Sequence, residues 1–142
     1  MMRYGPALLL ALSVAAFGGD AQADEEEDER PARHITVRML DYRFEPATIT
    51  LSAGETVELT LINDGAVLHE FVTEALETVE TDLTINGVIA ETTGVAELEV
   101  PPKGRATLRF TPETPGAYPF TCDAKKPQDH LKAGMAGTLI IK

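Results

Sequence analysis

The sequence predicts an all-β protein, a two-sheet β-sandwich with Greek-key connections, and two observations carry that prediction. Several short runs place apolar residues at every second position, and clusters of Gly, Pro, Asn and Asp punctuate them at short intervals. No internal repeat and no domain linker interrupts the pattern, so one domain is expected.

The fold begins only after two segments of another kind. Met1-Met2-Arg3 gives a short positive start, residues 7–17 are apolar apart from Ser13, and Ala21-Gln22-Ala23 offers the small residues a signal peptidase reads. Residues 1–23 are therefore expected to be a cleaved secretory signal, which places the mature protein in the periplasm. The apolar run is shorter than the roughly 20 residues a bilayer demands, and no later stretch approaches that length, so no membrane span is expected. No cysteine sits at the cleavage point to carry a lipid. Residues 24–33 open on Asp24-Glu25-Glu26-Glu27-Asp28-Glu29, a block that repels itself and reads as a disordered acidic tail. Residues 34–142 form the expected domain. The net charge is −11 at neutral pH, and losing residues 1–23 removes one base, Arg3, and one acid, Asp20, leaving it unchanged. Nucleic acid is excluded as a partner, because phosphate binding draws on clustered Lys and Arg.

Taken in order, the strands announce themselves by period two. Ile35, Val37 and Met39 alternate with Thr36 and Arg38, and Met39, sharing their phase, belongs to the core. His34, out of that phase, is a surface residue. Ala53-Gly54 turns the chain into Val57, Leu59 and Leu61, and Asn63-Asp64-Gly65 turns it again before His69. The segment 73–95 reads as a short helix to about Glu80, from the spacing of Leu76, Val79 and Leu83. A hairpin around Asn86-Gly87 follows, the whole being a connection between sheets. Pro101-Pro102-Lys103-Gly104 precedes Ala106, Leu108 and Phe110. Thr111-Pro112-Glu113-Thr114-Pro115-Gly116 precedes the β-rich run that ends at Cys122, and residues 137–141 close the chain as a last strand.

Cys122 is the single cysteine. It cannot form an intramolecular disulfide, and a spare thiol in an exported protein invites capture by metal or by another chain. The loop after it carries His130, and Met135 stands just before the last strand, so three donors come from one strand-loop-strand unit. His69 closes the set from a neighbouring loop. A thiolate, two imidazoles and a thioether suit copper: soft sulfur favours Cu(I), imidazole serves both oxidation states, and a His2Cys plane with a weak axial Met is the blue-copper arrangement. A buried structural cysteine and two ordinary histidines would be the plain alternative.

The motif set Asn-x5-His-x-Phe, then Tyr-Pro-Phe-x-Cys, then His and Gly-Met-x-Gly-Thr-Leu-Ile-Ile resembles the cupredoxins, the small blue copper proteins of the plastocyanin and azurin superfamily. The resemblance spans residues 35–142 and includes Asp41-Tyr42-Arg43-Phe44-Glu45-Pro46 and Ala53-Gly54-Glu55-Thr56-Val57. It implies one type 1 copper bound by His69, Cys122 and His130 in the plane and Met135 on the axis. It also implies one-electron transfer between redox partners such as a cytochrome or an oxidoreductase, by a monomer that is not an enzyme. On that reading His130 sits on an exposed loop and is the exit for electrons. A periplasmic copper-trafficking protein is the alternative from another class, and a metal-free interaction module is the third.

Two departures from the resemblance stand out. Seven residues separate Cys122 from His130, more than in plastocyanin or azurin, and several of them are charged. Glu70 follows the first histidine where several relatives carry Asn, so a side-chain amide tying the ligand loops is missing. The backbone N–H at that position can still donate to the thiolate.

Overall fold

The computed structural model describes residues 32–142, so the signal and most of the acidic tail expected over residues 1–33 lie outside the described residues. Eleven strands follow one another: β1 Arg33–Leu40, β2 Arg43–Glu45, β3 Thr48–Leu51, β4 Val57–Asn63, β5 His69–Thr73, β6 Glu80–Ile85, β7 Val88–Thr93, β8 Glu97–Val100, β9 Arg105–Phe110, β10 Gly116–Thr121 and β11 Ala136–Ile141. They make two sheets, ordered β2-β1-β4-β9-β6-β7 and β3-β11-β10-β5-β8. This is the predicted all-β sandwich.

The alternation seen in the sequence becomes the buried face of each sheet. Val37 and Met39 of β1, Val57, Leu59 and Leu61 of β4, and Ala106, Leu108 and Phe110 of β9 all point inward. Register keeps them together: β1 runs parallel to β4 with Val37 opposite Leu61, and β4 antiparallel to β9 with Leu59 opposite Leu108. The second sheet answers with Ile49, Leu51, Phe71, Leu98, Val100, Phe120, Leu139 and Ile141. Between the sheets Phe44, Phe71 and Phe120 meet as an aromatic trio, with ring centroids 5.0 to 6.2 Å apart.

The segment 73–95 departs from its reading. Its helix is one 3-10 turn, Glu74–Leu76, started by the Thr73 hydroxyl accepting the Ala75 N–H. Glu80 already lies in β6. The spacing of Leu76, Val79 and Leu83 imitates a helix by coincidence, because Leu83 faces Leu108 as a strand residue. The hairpin does turn at Asn86-Gly87, both with positive φ. The segment does connect the sheets, leading from β5 of the second to β6 and β7 at the edge of the first and back to β8 of the second, and Val88 and Ile89 on the edge strand are exposed.

The second sheet positions the site. Strand β10 lies between β5 and β11 and is antiparallel to both. Its C-terminal end, the start of β5 and the start of β11 therefore meet at one edge of the sandwich. His69 begins β5, Cys122 directly follows β10 and Met135 directly precedes β11.

Candidate metal centre

At that edge the structure brings His69, Cys122 and His130 together, all fully buried. The two Nδ1 atoms are 3.2 Å apart, and Cys122 Sγ is 3.2 Å from His130 Nδ1 and 3.9 Å from His69 Nδ1. His69 is a strand residue rather than a loop residue, which fixes its backbone in the sheet opposite Val100. Met135 is equally buried, and its backbone ties the other two loop donors: its N–H donates to His130 O at 3.0 Å, and its carbonyl accepts the Cys122 N–H at 3.1 Å. His34 stays at the surface beside Glu58, and Met39 is in the core, as read.

The outward nitrogens decide which way the rings are protonated. Nε2 of His130 lies 3.0 Å from the Lys126 carbonyl oxygen, an acceptor only, so Nε2 carries the proton and Nδ1 presents a lone pair. Nε2 of His69 lies 3.3 Å from Asp41 Oδ1, a carboxylate, with the same consequence. Two imidazole lone pairs and one sulfur thus converge in a space closed to water. Without metal the Cys122 S–H can donate to the facing His130 Nδ1 at 3.2 Å, and a cation that displaces that proton is met by all three donors.

The triangle also has the right size. A point about 2.05 Å from both Nδ1 atoms can also lie about 2.3 Å from Sγ, the ordinary metal–nitrogen and metal–sulfur distances in proteins. Soft sulfur with two imidazoles and a neighbouring thioether residue selects copper, and the site fits one copper ion.

Further bonds hold the donors in place. The Glu70 backbone N–H donates to Cys122 Sγ at 3.2 Å, so that link survives the missing side-chain amide. Asn63 Nδ2 donates to the carbonyls of Val67 and Val100, both at 2.8 Å, and its Oδ1 accepts the Gly65 N–H, which pins the loop leading into His69. The long Cys122 to His130 loop is braced by Asp129, which accepts the Lys132 N–H and pairs with Lys125 and Lys132.

His130 does stand on an exposed loop, with residues 125–128 and 131–134 exposed around it, but its own side chain is 0 % exposed. The Lys126 carbonyl takes its outer nitrogen, and Tyr42 stands edge-on against the ring at 5.1 Å. The seven-residue interval causes this, because it is long enough to fold back over the imidazole. Two contributors escaped the sequence reading. Asp41 and Tyr42 form the two-residue turn between β1 and β2. The signal available was an acid and a bulky aromatic side by side in a turn, and Tyr42 holds φ of 65°, where a side chain costs roughly 1–2 kcal/mol.

Burial sets the titration of the donors. It pushes the Cys122 thiol up, against the opposing backbone hydrogen bonds from Glu70 and Ala124. It pulls His69 down, against the attraction of Asp41. The Asp41 carboxyl is held below its usual range, chiefly by the Ala66 N–H. Metal-free protein therefore has a stability window. Below about pH 6.5 the unfolded chain protonates His69 while the fold resists, and above about pH 9 the unfolded chain ionises Cys122 while the fold resists. Stability falls on both sides, and thermal denaturation from pH 5 to 10 checks it. A profile flat across both limits would contradict the burial described.

Comparison with known proteins follows the same line. The family model described as Cupredoxin-like domain matches residues 7–141. The chain is 30% identical over 165 residues to the copper-resistant cuproprotein CopI of Rubrivivax gelatinosus, covering 96% of each. It is 41% identical over 78 residues to CopI of Pseudomonas aeruginosa, covering 49% of this chain and 42% of that one, so it spans under half the length of that relative. Plastocyanin of Dryopteris crassirhizoma is 29% identical over 104 residues, covering 72% of this chain and 90% of its own. Among solved structures, auracyanin B superposes with a TM-score of 0.56 at 21% identity, over 81% of this chain and 92% of that one.

Proposed function

This chain belongs to the cupredoxin-like domain family, and on that premise we propose that it is an exported type 1 copper protein that carries one electron at a time between redox partners. In this reading His69, Cys122, His130 and Met135 would hold the ion, offering two imidazole nitrogens, a thiolate and a thioether. The convergence of both Nδ1 lone pairs on Cys122 Sγ in a dry pocket is the observation that carries it. Bound copper supplies the Cu(II)/Cu(I) couple. The protein's residues supply a braced cage: β5 fixes His69, a backbone bond to Met135 holds Cys122 at the end of β10, and outer-nitrogen hydrogen bonds lock both rings. Little rearrangement means a low barrier to electron exchange.

A separate enzymatic role finds no support in the residues. A second copper would need further histidines, and His34, the one left, is exposed. Leu68 and Leu131, each beside a ligand histidine in sequence, are exposed and offer an apolar contact for a partner. Next to Cys122 lies an acidic face of Glu70, Glu97 and Glu99. Export to the periplasm rests on residues 1–23, and a monomeric domain over residues 34–142 completes the reading.

The names of the CopI relatives favour a second reading, copper held in the service of resistance. Two measurements separate them. A carrier keeps its copper against a mild chelator through repeated reduction and reoxidation, and a trafficking protein surrenders it as Cu(I). A carrier of this charge is also reduced more slowly by a cationic reagent as salt rises, since screening acts over about 10 Å at 0.1 M. Loss of copper on the first reduction, with rates indifferent to salt, would favour the second reading.

A further inference from the structure

The two ligand imidazoles are not equivalent. His130 donates its outer N–H to a neutral carbonyl, Lys126 O, and His69 donates its own to a carboxylate, Asp41 Oδ1. We propose that Asp41 is a positioning residue for the copper couple, holding the His69 ring by its Nε2–H and biasing the site toward Cu(II). The inference rests on the copper reading given above.

The contact is built rather than incidental. The same Asp41 Oδ1 accepts the Ala66 N–H at 2.9 Å, so the carboxylate is anchored to the loop that delivers His69. Gly65 keeps the space open: a Cβ there would stand 2.6 Å from His69 Nε2 and overlap the Asp41 carboxylate. Tyr42, next to Asp41 in the same turn, packs on His130, so one two-residue turn touches both imidazoles. A carboxylate behind a ligand histidine raises the basicity of the ring. The added electron density and the negative charge both stabilise a doubly charged ion more than a singly charged one.

The test is a spectroelectrochemical titration of the copper-loaded full chain, following the thiolate band, for the wild type, Asp41→Asn and Asp64→Asn. Asp64→Asn removes one charge from the loop that delivers His69, and that side chain pairs with Arg38 instead of a ligand. Asp41→Asn is expected to keep the band and to weaken Cu(II) relative to Cu(I) about tenfold, within the range for losing an outer-shell partner. That is a rise in potential of about 59 mV for one electron. Asp64→Asn is expected to shift it by much less. An unchanged potential in Asp41→Asn, or an equal rise in Asp64→Asn, overturns the proposal. Absence of any thiolate band in the wild type overturns the copper reading and the proposal with it. A second readout is the His69 Nε2–H resonance of the reduced protein, which moves upfield in Asp41→Asn if the bond exists and stays in place if it does not.

Discussion

Cys122→Ser is expected to eliminate the intense visible band of the copper-loaded protein and leave weak d–d absorption. The band belongs to charge transfer from a thiolate, and this chain has one sulfur able to become one. Serine is close in size, so the pocket survives: Glu70 N–H and the backbone bond to Met135 remain available to the replacement. Its hydroxyl is a hard donor that holds its proton far more tightly than a thiol, which suits Cu(I) poorly. Copper affinity is therefore expected to fall by more than the roughly 10–100-fold lost with an outer-shell partner. Absorption spectra of the two proteins with one equivalent of Cu(II) check this, and an undiminished band would refute thiolate ligation.

Phe120→Ala is expected to remove about 3–5 kcal/mol of stability, the usual cost of emptying a buried phenylalanine site. Phe120 is fully buried two residues before Cys122, with Phe44 at 5.0 Å and Phe71 at 5.2 Å. Its cross-strand neighbour is Gly137, and a Cβ on that glycine would overlap the ring. Nothing on that side can fill the hole, so the cavity persists instead of collapsing. Domains of this size are held by only about 5–15 kcal/mol, which makes the loss a large fraction of the whole. Urea denaturation of metal-free protein measures it. A loss under about 1 kcal/mol would mean that the aromatic trio is not the packed floor of the site.

How much of this was legible in the sequence depended on whether the signal was local. Strands β1, β4, β9 and β11 each bury one face and leave the other less covered, so period two survives in their residues. The cluster of His69, Cys122 and His130 was readable because a lone cysteine has few uses in a chain expected to be exported and because His130 follows it within one connection, with Met135 proposed as the fourth donor. Strand β8 went unread although Leu98 and Val100 are buried between exposed Glu97 and Glu99, since only four residues show the alternation. The fate of β6 and β7 depended on β9, a partner with no mark in the segment itself. His130 illustrates the same limit. Its loop is solvated, as the charged neighbours suggest, but the backbone of that loop closes over the ring. Asp41 was seen as part of a motif, but its role follows from a 28-residue separation bridged only in three dimensions.

His69, Cys122 and His130 are proposed to hold one copper ion through two Nδ1 atoms and a thiolate. The visible absorption spectrum after one equivalent of Cu(II), followed by ascorbate and then reoxidation, tests it most directly. An intense thiolate-to-copper band is expected, one that saturates at one equivalent, bleaches with ascorbate and returns with oxidant. Weak d–d absorption alone, or no colour at all, would contradict it.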